Sequence, residues 1–297
     1  MQTSLELLRS ARRVGLVLSG GCSRCSFQVG AIETLTELGI QPSLCVGVSG
    51  GVWNAASVAG GVPHRLRHYW RCFIRMPYLD LRNLGREHSP WLFTELHRRT
   101  FGRYVGVERL RRPGAADLWI GVTRLRDRTP AFFRAQDFED PMPLFLASNY
   151  LPPFFTHAPR IDGVRYGDGS LSDNVPYRKA FEEGCDAVVL VTMKGESESP
   201  GVYRNPKVID HRIPEPFRDR VVVIRPRHRL PVRFTDRRWP VLVQIMELGR
   251  LRAREVLLGE THPMTEIRAQ LGLGDRLWKL LRHSYSVVDG GPDAAQT

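Results

Sequence analysis

The fold of this chain is decided by residues 14–40, VGLVLSGGCSRCSFQVGAIETLTELGI, and residues 44–56, LCVGVSGGVWNAA. Each stretch begins with a short apolar run, Val14–Leu18 or Leu44–Val48, which is typical of a buried strand. A glycine-rich turn follows each run, and after the turn the apolar residues recur at helical spacing. Two successive strand–turn–helix units predict parallel strands that are joined by crossover helices.

The rest of the chain continues this alternation of strands and helices. Apolar runs predict further strands at Asp117–Val122, Pro130–Phe133, Ala187–Thr192 and Val221–Arg225. Helical periodicity predicts helices at Pro141–Ser148, Tyr177–Glu183 and Arg238–Leu258. The polar stretch 194–215 contains three prolines and is typical of an exposed loop. We therefore expect one α/β domain around a central, mostly parallel sheet.

The composition excludes a disordered or fibrous chain. Of the 297 residues, 42% are hydrophobic and 25% are charged, which is ordinary for a globular protein. The 43 basic and 31 acidic residues give a formal net charge of +12, and only four of the basic residues are lysines. Such a charge favours phosphates, anionic lipid headgroups or nucleic acid as partners. The alternative is that the arginines are spread over a solvated surface.

The cysteines and the apolar segments indicate a reducing compartment. Five cysteines are an odd number in a chain long enough to bury a core, so we expect no disulfide framework. Residues 1–13 lack the apolar segment of a secretory signal. The uncharged stretch 38–63 is interrupted by six glycines, and a strand–turn–helix unit explains it better than a membrane helix. These features predict a cytoplasmic protein.

Residues 63–129 form a basic segment in which aromatic residues alternate with arginines. The segment holds fifteen arginines against six acidic residues. It has two interpretations: a basic aromatic surface for lipid headgroups or nucleic acid, or helices whose aromatic side chains pack inward while the arginines face water. We prefer the second interpretation.

The segment Gly47-Val48-Ser49-Gly50-Gly51 matches the G-x-S-x-G pattern of a nucleophile elbow. It lies between a predicted strand and a predicted helix, where a serine hydroxyl is exposed beside a helix N-terminus. The alternative is that Ser49 only caps the helix. Too few residues precede Ser49 for an ordinary α/β-hydrolase, and no sequence context marks a histidine as the base among the late histidines, His211, His228, His262 and His283.

Two other glycine-rich turns hold polar or reactive residues. The turn at 19–25, SGGCSRC, has backbone N–H groups suited to an oxyanion or a phosphate, but it matches neither the dinucleotide fingerprint nor the P-loop. Its C-x-x-C spacing has no second ligand pair, so we expect no metal site and no redox catalysis. In the turn at 166–170, YGDGS, Asp168 either shapes the turn or presents a carboxylate to the serine.

Taken in order, these three motifs resemble those of the patatin-like phospholipases. The resemblance covers about residues 14–60, 145–195 and 220–258. It implies a three-layer α/β/α fold in a single domain, with a core over about 14–258, a basic helical insertion over about 63–129 and a helical C-terminal extension over about 259–297.

The resemblance also implies roles for individual residues. Ser49 would be the nucleophile and Asp168 the general base of a dyad that cleaves fatty-acyl esters of phospholipids or related lipids, without a metal or cofactor. The N–H groups of the oxyanion hole would come from Gly20, Gly21 and Cys22. Supporting roles would fall to Arg24, Gly47, Gly51 and Gly169. Because an ordinary aspartate is a weak base, Asp168 must lie within hydrogen-bond reach of Ser49 Oγ in a partly desolvated pocket.

Three positions depart from the family pattern. Cys22 and Cys25 stand in the oxyanion loop where the family has glycine, and a Cβ at position 22 costs about 1 kcal/mol or more if that residue needs a positive φ. We expect weakened rather than abolished catalysis. Ser170 replaces a glycine or alanine, and because it is small we expect little effect.

Two other functions stay open at this point. A transacylase would use the same acyl-serine intermediate, and a catalytically weak member of the fold would only bind lipid. In each case the partner is a lipid or acyl ester, with peripheral contact to an anionic membrane surface, whereas nucleic acid is not expected.

Overall fold

The computed structural model describes residues 3–81, 91–151, 158–195, 213–227, 229–232 and 235–262. The helices are α1 (Ser4–Ser10), α2 (Ser26–Glu37), α3 (Gly51–Ala59), α4 (Leu66–Arg75), α5 (Phe93–Tyr104), α6 (Val107–Arg111), α7 (Met142–Ser148), α8 (Tyr177–Glu182), α9 (Glu215–Arg218) and α10 (Trp239–Leu258). The strands are β1 (Val14–Leu18), β2 (Leu44–Val48), β3 (Asp117–Arg124), β4 (Thr129–Arg134), β5 (Arg160–Ile161), β6 (Val164–Asp168), β7 (Ala187–Val191) and β8 (Val221–Ile224).

The strands form one mixed sheet with a parallel centre. Its five parallel strands lie in the order β3-β2-β1-β7-β8, while β4 and β6 pair antiparallel with β3 and β5 pairs antiparallel with β6. The parallel strands β1, β2 and β7 are buried along their whole length, which explains why their sequences are continuous apolar runs. The prediction of a central, mostly parallel sheet is confirmed.

Each face of the sheet is covered by its own hydrophobic core. Side chains alternate between the faces of a strand, so Leu16 and Leu18 of β1 enter the larger core, whereas Val17 enters the smaller one. Helices α2, α3, α7 and α10 contribute to the larger core, and α8 with Phe217 of α9 covers the opposite face. This arrangement is the predicted three-layer α/β/α fold.

Helices α2 and α10 pack against each other at glycines. A Cβ at Gly30 would lie 1.8 Å from the backbone oxygen of Met246, and a Cβ at Gly249 would lie 1.9 Å from the backbone oxygen of Phe27. Both positions therefore exclude any larger residue, and the close contact holds α2 against the C-terminal helix of the described chain.

The basic segment 63–129 is helical only in its first part. Helices α4, α5 and α6 end at Arg111, whereas residues from Asp117 onward belong to the sheet, so the boundary expected at 129 is wrong. The aromatic side chains Tyr69, Trp70 and Phe101 are buried, and the arginines of these helices are exposed or half-buried. The segment's standing as an insertion stays a prediction.

Several short elements were not predicted from the sequence. They are α1, β5, β6 and α9. Most of the predicted loop 194–215 and most of the predicted helical extension 259–297 lie outside the described residues.

Candidate active site

Strand β3 brings the two residues of the predicted dyad together. Strand β2 pairs in parallel with β3 as far as Val48, which lies opposite Gly121, and Ser49 follows directly. Strand β6 comes from the other direction and ends with Asp168 opposite Val122. Because β4 occupies the other edge of β3, β2 and β6 share one edge and end on neighbouring residues. Ser49 Oγ accordingly donates a hydrogen bond to Asp168 Oδ2 over 2.7 Å.

The backbone at Ser49 forms a tight turn. Ser49 has a φ of +51°, a left-handed conformation that is rare outside glycine, and its N–H donates to Ser148 Oγ over 2.9 Å. The flanking glycines are required by contacts: a Cβ at Gly47 would lie 2.6 Å from Val52 Cα, and one at Gly51 would lie 2.5 Å from a backbone oxygen of β1. These contacts hold the turn in the strained shape that directs the hydroxyl toward Asp168.

Asp168 is fully buried, and its two carboxylate oxygens have different partners. Oδ2 accepts from Ser49 Oγ, whereas Oδ1 accepts from both the N–H and the Oγ of Ser170, over 2.9 and 2.6 Å. Burial raises the pKa of Asp168 to about 6, against hydrogen bonds from Ser170 and Ser49 that lower it. A carboxylate with this pKa is a stronger base than an exposed aspartate and is still mostly ionised at neutral pH. Gly169 is also constrained, since its Cβ would lie 2.3 Å from the oxygen of Gly121.

The glycine-rich loop after β1 lies against the serine, but its three predicted donors are not equivalent. The N–H of Gly20 donates to Asn174 Oδ1 over 2.7 Å, so it is already engaged. Within the described part of the chain, the N–H groups of Gly21 and Cys22 have no such acceptor. Gly20 instead permits close approach, because a Cβ there would lie 2.6 Å from Ser49 Cβ.

The two cysteines of this loop differ in exposure: Cys22 is half-buried and Cys25 is buried. Cys22 has a φ of +49°, so the position does carry the positive φ considered above, with the strain that a Cβ adds there. Burial raises the pKa of both Cys22 and Cys25 far above the usual range, so each remains a neutral thiol at physiological pH. Arg24 closes the turn through its backbone N–H, which donates to Gly21, and its Nε is buried without a hydrogen-bond partner in the described chain.

Several residues that support the site were not predicted to do so. Ser170, which we expected to have little effect, donates two of the three hydrogen bonds that the carboxylate of Asp168 accepts. Ser148 connects the Ser49 turn to β3 by donating to the oxygen of Gly121, and Thr123 Oγ1 donates to the backbone oxygen of Asp168. Asn174 was visible in the sequence, six residues after the aspartate, but its contact with the glycine-rich loop spans 154 positions.

A cavity of about 280 Å³ lies beside the glycine-rich loop that follows β1. Cys22 and Gly50 line it, as do the exposed Tyr78 and the half-buried Arg237. Between them the wall is mainly aromatic, with side chains from α3, α4 and α5. A cavity of this kind, apolar and next to a reactive group, is suited to an acyl chain.

The described residues include no cluster of three or more side chains that could hold a metal ion. They likewise include no helix of sufficient length and apolar character to cross a membrane. Of the four late histidines, only His262 is described, and it lies beside Glu260.

The chain was compared with protein families, curated proteins and solved structures. The model of the patatin-like phospholipase family matches residues 16–181, more than half of the chain. The uncharacterized protein YjjU of Escherichia coli is 24% identical over 187 residues, which are 60% of this chain and 51% of YjjU. The chain thus spans about half the length of that curated relative.

Two solved structures are similar to the fold. VipD from Legionella pneumophila aligns over 93% of this chain and 75% of VipD, with a TM-score of 0.50 and 13% identity. The type III effector protein ExoU aligns over 88% of this chain and 54% of ExoU, with a TM-score of 0.43 and 16% identity. On the match of the family model to residues 16–181, the chain belongs to the patatin-like phospholipase family.

Proposed function

We propose that this chain is a lipid acyl hydrolase in which Ser49 is the nucleophile and Asp168 the general base. The observation that carries the proposal is the 2.7 Å hydrogen bond from Ser49 Oγ to Asp168 Oδ2 in a buried site. Membership of the patatin-like phospholipase family supports a lipid ester as the substrate.

The proposed reaction proceeds through an acyl-enzyme. Ser49 Oγ attacks the ester carbonyl carbon and transfers its proton to Asp168. The tetrahedral intermediate then collapses, the bond to the alcohol oxygen breaks, and the alcohol leaves with the proton from Asp168. In the second half, Asp168 takes a proton from water, the resulting hydroxide attacks the acyl-serine, and the fatty acid is released while Ser49 regains its proton.

The negative charge of each intermediate requires hydrogen-bond donors near Ser49. We assign this role to the N–H groups of Gly21 and Cys22, because the N–H of Gly20 donates to Asn174. Loss of one such donor typically slows an acyl transfer by about 10²–10³-fold. With only two donors, the oxyanion hole stabilises the intermediate only if both N–H groups are well placed. The rate of the reaction therefore depends on the strained backbone at Cys22, which has a positive φ.

The proposal includes the membrane surface as the place where the substrate is met. Leu79 and Leu81 are exposed after the end of α4, next to Tyr78 in the cavity wall. Arg71 and Arg75 of α4 are exposed nearby in sequence. Exposed apolar side chains beside arginines suit peripheral contact with anionic phospholipid. A cytoplasmic, peripheral location remains part of the proposal.

The test is labelling of the purified protein with a fluorophosphonate, together with hydrolysis of a phospholipid and of a 4-nitrophenyl acyl ester. We expect the wild type to be labelled and to release fatty acid, and Ser49→Ala to lose both properties. Asp168→Asn should lower turnover by about 10²–10⁴-fold, as expected for loss of a general base. Ser43→Ala is the matched control, because Ser43 precedes β2 at the end of the sheet away from the site.

Three further results would test the nucleophile assignment, the type of reaction and the role of the oxyanion loop. Failure of the wild type to react with the fluorophosphonate would contradict the nucleophile assignment. Acyl transfer to an added alcohol in preference to release of fatty acid would indicate a transacylase. Faster turnover by Cys22→Gly than by the wild type would show that the oxyanion loop limits the rate.

A further inference from the structure

A second cavity, separate from the aromatic one, is lined by arginines. Its volume is about 500 Å³. The turn between β3 and β4 and the β5–β6 hairpin form its wall, with the lining residues Leu125, Arg126, Arg160, Gly163, Val164 and Arg165. The three arginines are exposed, so a ligand in solution or at a membrane surface can reach their guanidinium groups. The reaction proposed for Ser49 and Asp168 makes no use of this cavity.

The register of the hairpin places two of these arginines side by side. Arg160 lies opposite Arg165 in the antiparallel pair of β5 and β6. Their side chains therefore leave the same face of the hairpin, with Cβ atoms about 4.5–5.5 Å apart. Arg160 Nη1 donates to the backbone oxygen of Gly163, which also lines the cavity, over 2.8 Å. The N–H of Leu125 donates to the backbone oxygen of Arg165 over 3.1 Å, which brings the following residue, Arg126, to the hairpin.

The charges of these three arginines are not neutralised by the described part of the chain, in which none of them forms an ion pair. Asp127, in the turn after β3, pairs with Arg124 and accepts from Thr129 instead. Asp162 lies in the turn of the hairpin and is exposed, without a contact to any of the three guanidinium groups. Like charges directly opposite each other on neighbouring strands destabilise the pair. A bound anion would remove this repulsion.

We propose that Arg126, Arg160 and Arg165 form a binding site for a phosphate monoester, either on a lipid headgroup or free in solution. A monoester carries a charge of about −1.5 to −2 at neutral pH and has three terminal oxygens that accept hydrogen bonds. A phosphate diester has a single charge and only two such oxygens. Guanidinium groups bind phosphate oxygens through two parallel N–H groups, so three of them suit the monoester better.

The proposed site is distinct from the dyad but lies at the same end of the sheet. Arg165 precedes Asp168 by three residues on β6, which is about 10 Å along the strand, and side chains three residues apart leave opposite faces of a strand. Strand β3 continues past the position opposite Val48 to reach the hairpin strand β6 at its carboxyl end. A lipid headgroup bound by the arginines would thus hold this end of the sheet at a membrane surface.

The test compares binding of the full chain to two kinds of phosphatidylcholine vesicle by co-sedimentation. One kind contains phosphatidic acid, a phosphate monoester, and the other contains phosphatidylglycerol, a diester. The phosphatidylglycerol content is raised until both vesicles have the same zeta potential, so that the general attraction of the basic protein is equal. We expect the wild type to bind the phosphatidic acid vesicles about tenfold or more tightly.

Variants assign this preference to the proposed residues. Arg160→Gln/Arg165→Gln removes two of the three guanidinium groups, and the ratio of the two affinities should fall to about one. Arg9→Gln/Arg12→Gln is the matched control, because it removes the same charge from exposed arginines that precede β1, at the opposite end of the sheet. Its binding to both vesicles should weaken by similar factors, so the ratio should stay. Far-UV circular dichroism verifies that each variant is folded.

Calorimetric titration with glycerol 3-phosphate distinguishes the two sources of the monoester. Binding by the wild type that is lost in Arg160→Gln/Arg165→Gln and kept in Arg9→Gln/Arg12→Gln would assign the site to a free phosphate monoester. A preference for phosphatidic acid vesicles without binding of glycerol 3-phosphate would assign it to a lipid headgroup.

The inference is overturned if the wild type binds both vesicles equally and does not bind glycerol 3-phosphate, a result that needs no variant to fold. A preference that persists in Arg160→Gln/Arg165→Gln, or that the control variant loses to the same extent, would also overturn it. None of these measurements requires turnover. A protein that hydrolyses no acyl ester would therefore contradict the proposed function and leave this inference standing.

Discussion

At the scale of single residues, the candidate site combines strained backbone conformations with a buried carboxylate. Ser49 and Cys22 are two of four non-glycine residues with positive φ among the described residues, and both border the position of the ester carbonyl in the proposed reaction. Asp168 is fully buried. Strained backbone and buried charge destabilise a fold, and they persist where the surrounding structure holds them in place.

The raised pKa of Asp168 predicts how activity changes with pH. The base must be ionised, so kcat/KM should rise with pH through a single ionisation near pH 6 and level off by about pH 7.5. The measurement is kcat/KM for a 4-nitrophenyl ester between pH 4.5 and 8. Ser170→Ala removes the hydroxyl donor to Oδ1, so the midpoint should move to higher pH. A midpoint near pH 4 in the wild type would contradict the buried carboxylate.

The free energy of unfolding should depend on the same ionisation, but it should fall as the pH rises, whereas the activity should increase. The folded-state pKa of Asp168 lies above the unfolded-state value, so protonation stabilises the fold as the pH falls from about 6 to 4. Asp168→Asn has no charge to bury, so it should be more stable than the wild type by up to about 3 kcal/mol at pH 8. The difference should shrink as the pH falls through 6. Urea unfolding at pH 8 and pH 4.5 measures it.

At the scale of elements, β3 is the strand on which the site is built. Val48 and Asp168 lie opposite consecutive residues of β3, and Thr123 of the same strand bonds the backbone of the aspartate. The antiparallel strand β6 therefore adds the base to an otherwise parallel sheet. The apolar run of β3 was apparent in the sequence, whereas the pairing of β6, an irregular VRYGD segment, had no periodic signal.

The crossing of α2 and α10 gives a prediction about helix packing. Gly30→Ala would place a Cβ 1.8 Å from the backbone oxygen of Met246, so the helices must move apart. We expect the free energy of unfolding to fall by about 3 kcal/mol or more. Gly102→Ala is the matched control, because Gly102 lies within α5 with no atom near its added Cβ. That variant should gain about 0.5–1 kcal/mol.

Both glycine variants are compared with the wild type by urea unfolding. An equal effect of the two substitutions would contradict the close contact between α2 and α10. Because the N-terminal end of α2 follows the loop of the proposed oxyanion hole, we also expect Gly30→Ala to lower the rate of fluorophosphonate labelling, whereas Gly102→Ala should leave it unchanged.

At the scale of the whole molecule, part of the net charge of +12 can be assigned to one surface. The arginines of α4 and α5 are mostly exposed or half-buried, and exposed apolar side chains follow α4 next to the cavity wall. In the proposed membrane contact, charge would attract the protein to an anionic surface at long range, and apolar contact would then hold it there. This surface is the side on which the proposed substrate would enter.

Vesicle binding tests this surface. We expect co-sedimentation with phosphatidylglycerol vesicles that weakens as salt rises from 50 to 500 mM, and little binding to phosphatidylcholine. The double variant Leu79→Ser/Leu81→Ser should bind several-fold more weakly. Leu258→Ser, which changes a comparably exposed leucine at the end of α10, is the control. Equal binding of both vesicle types, or no effect of the double variant, would contradict a peripheral anionic-lipid surface.

More of the fold than of the candidate site could be predicted from the sequence. Strands β1 and β2 were predicted with their observed bounds, because a fully buried strand must be apolar along its whole length. Ser49 and Asp168 stood out as polar residues in glycine-rich turns. The loss of Gly20 as a donor could not be predicted, because it depends on Asn174, which is brought to it only by folding.

The sequence by itself determined the local structure: which segments are strands, where the glycine turns lie and which hydroxyl and carboxylate they present. These properties follow from side-chain size, apolar periodicity and backbone freedom over a few neighbouring residues. Only the tertiary structure decided that β6 shares an edge of β3 with β2, that Asp168 is buried and that an aromatic cavity lies beside the glycine-rich loop after β1. Those properties depend on contacts between distant residues, whose geometry the local pattern does not specify.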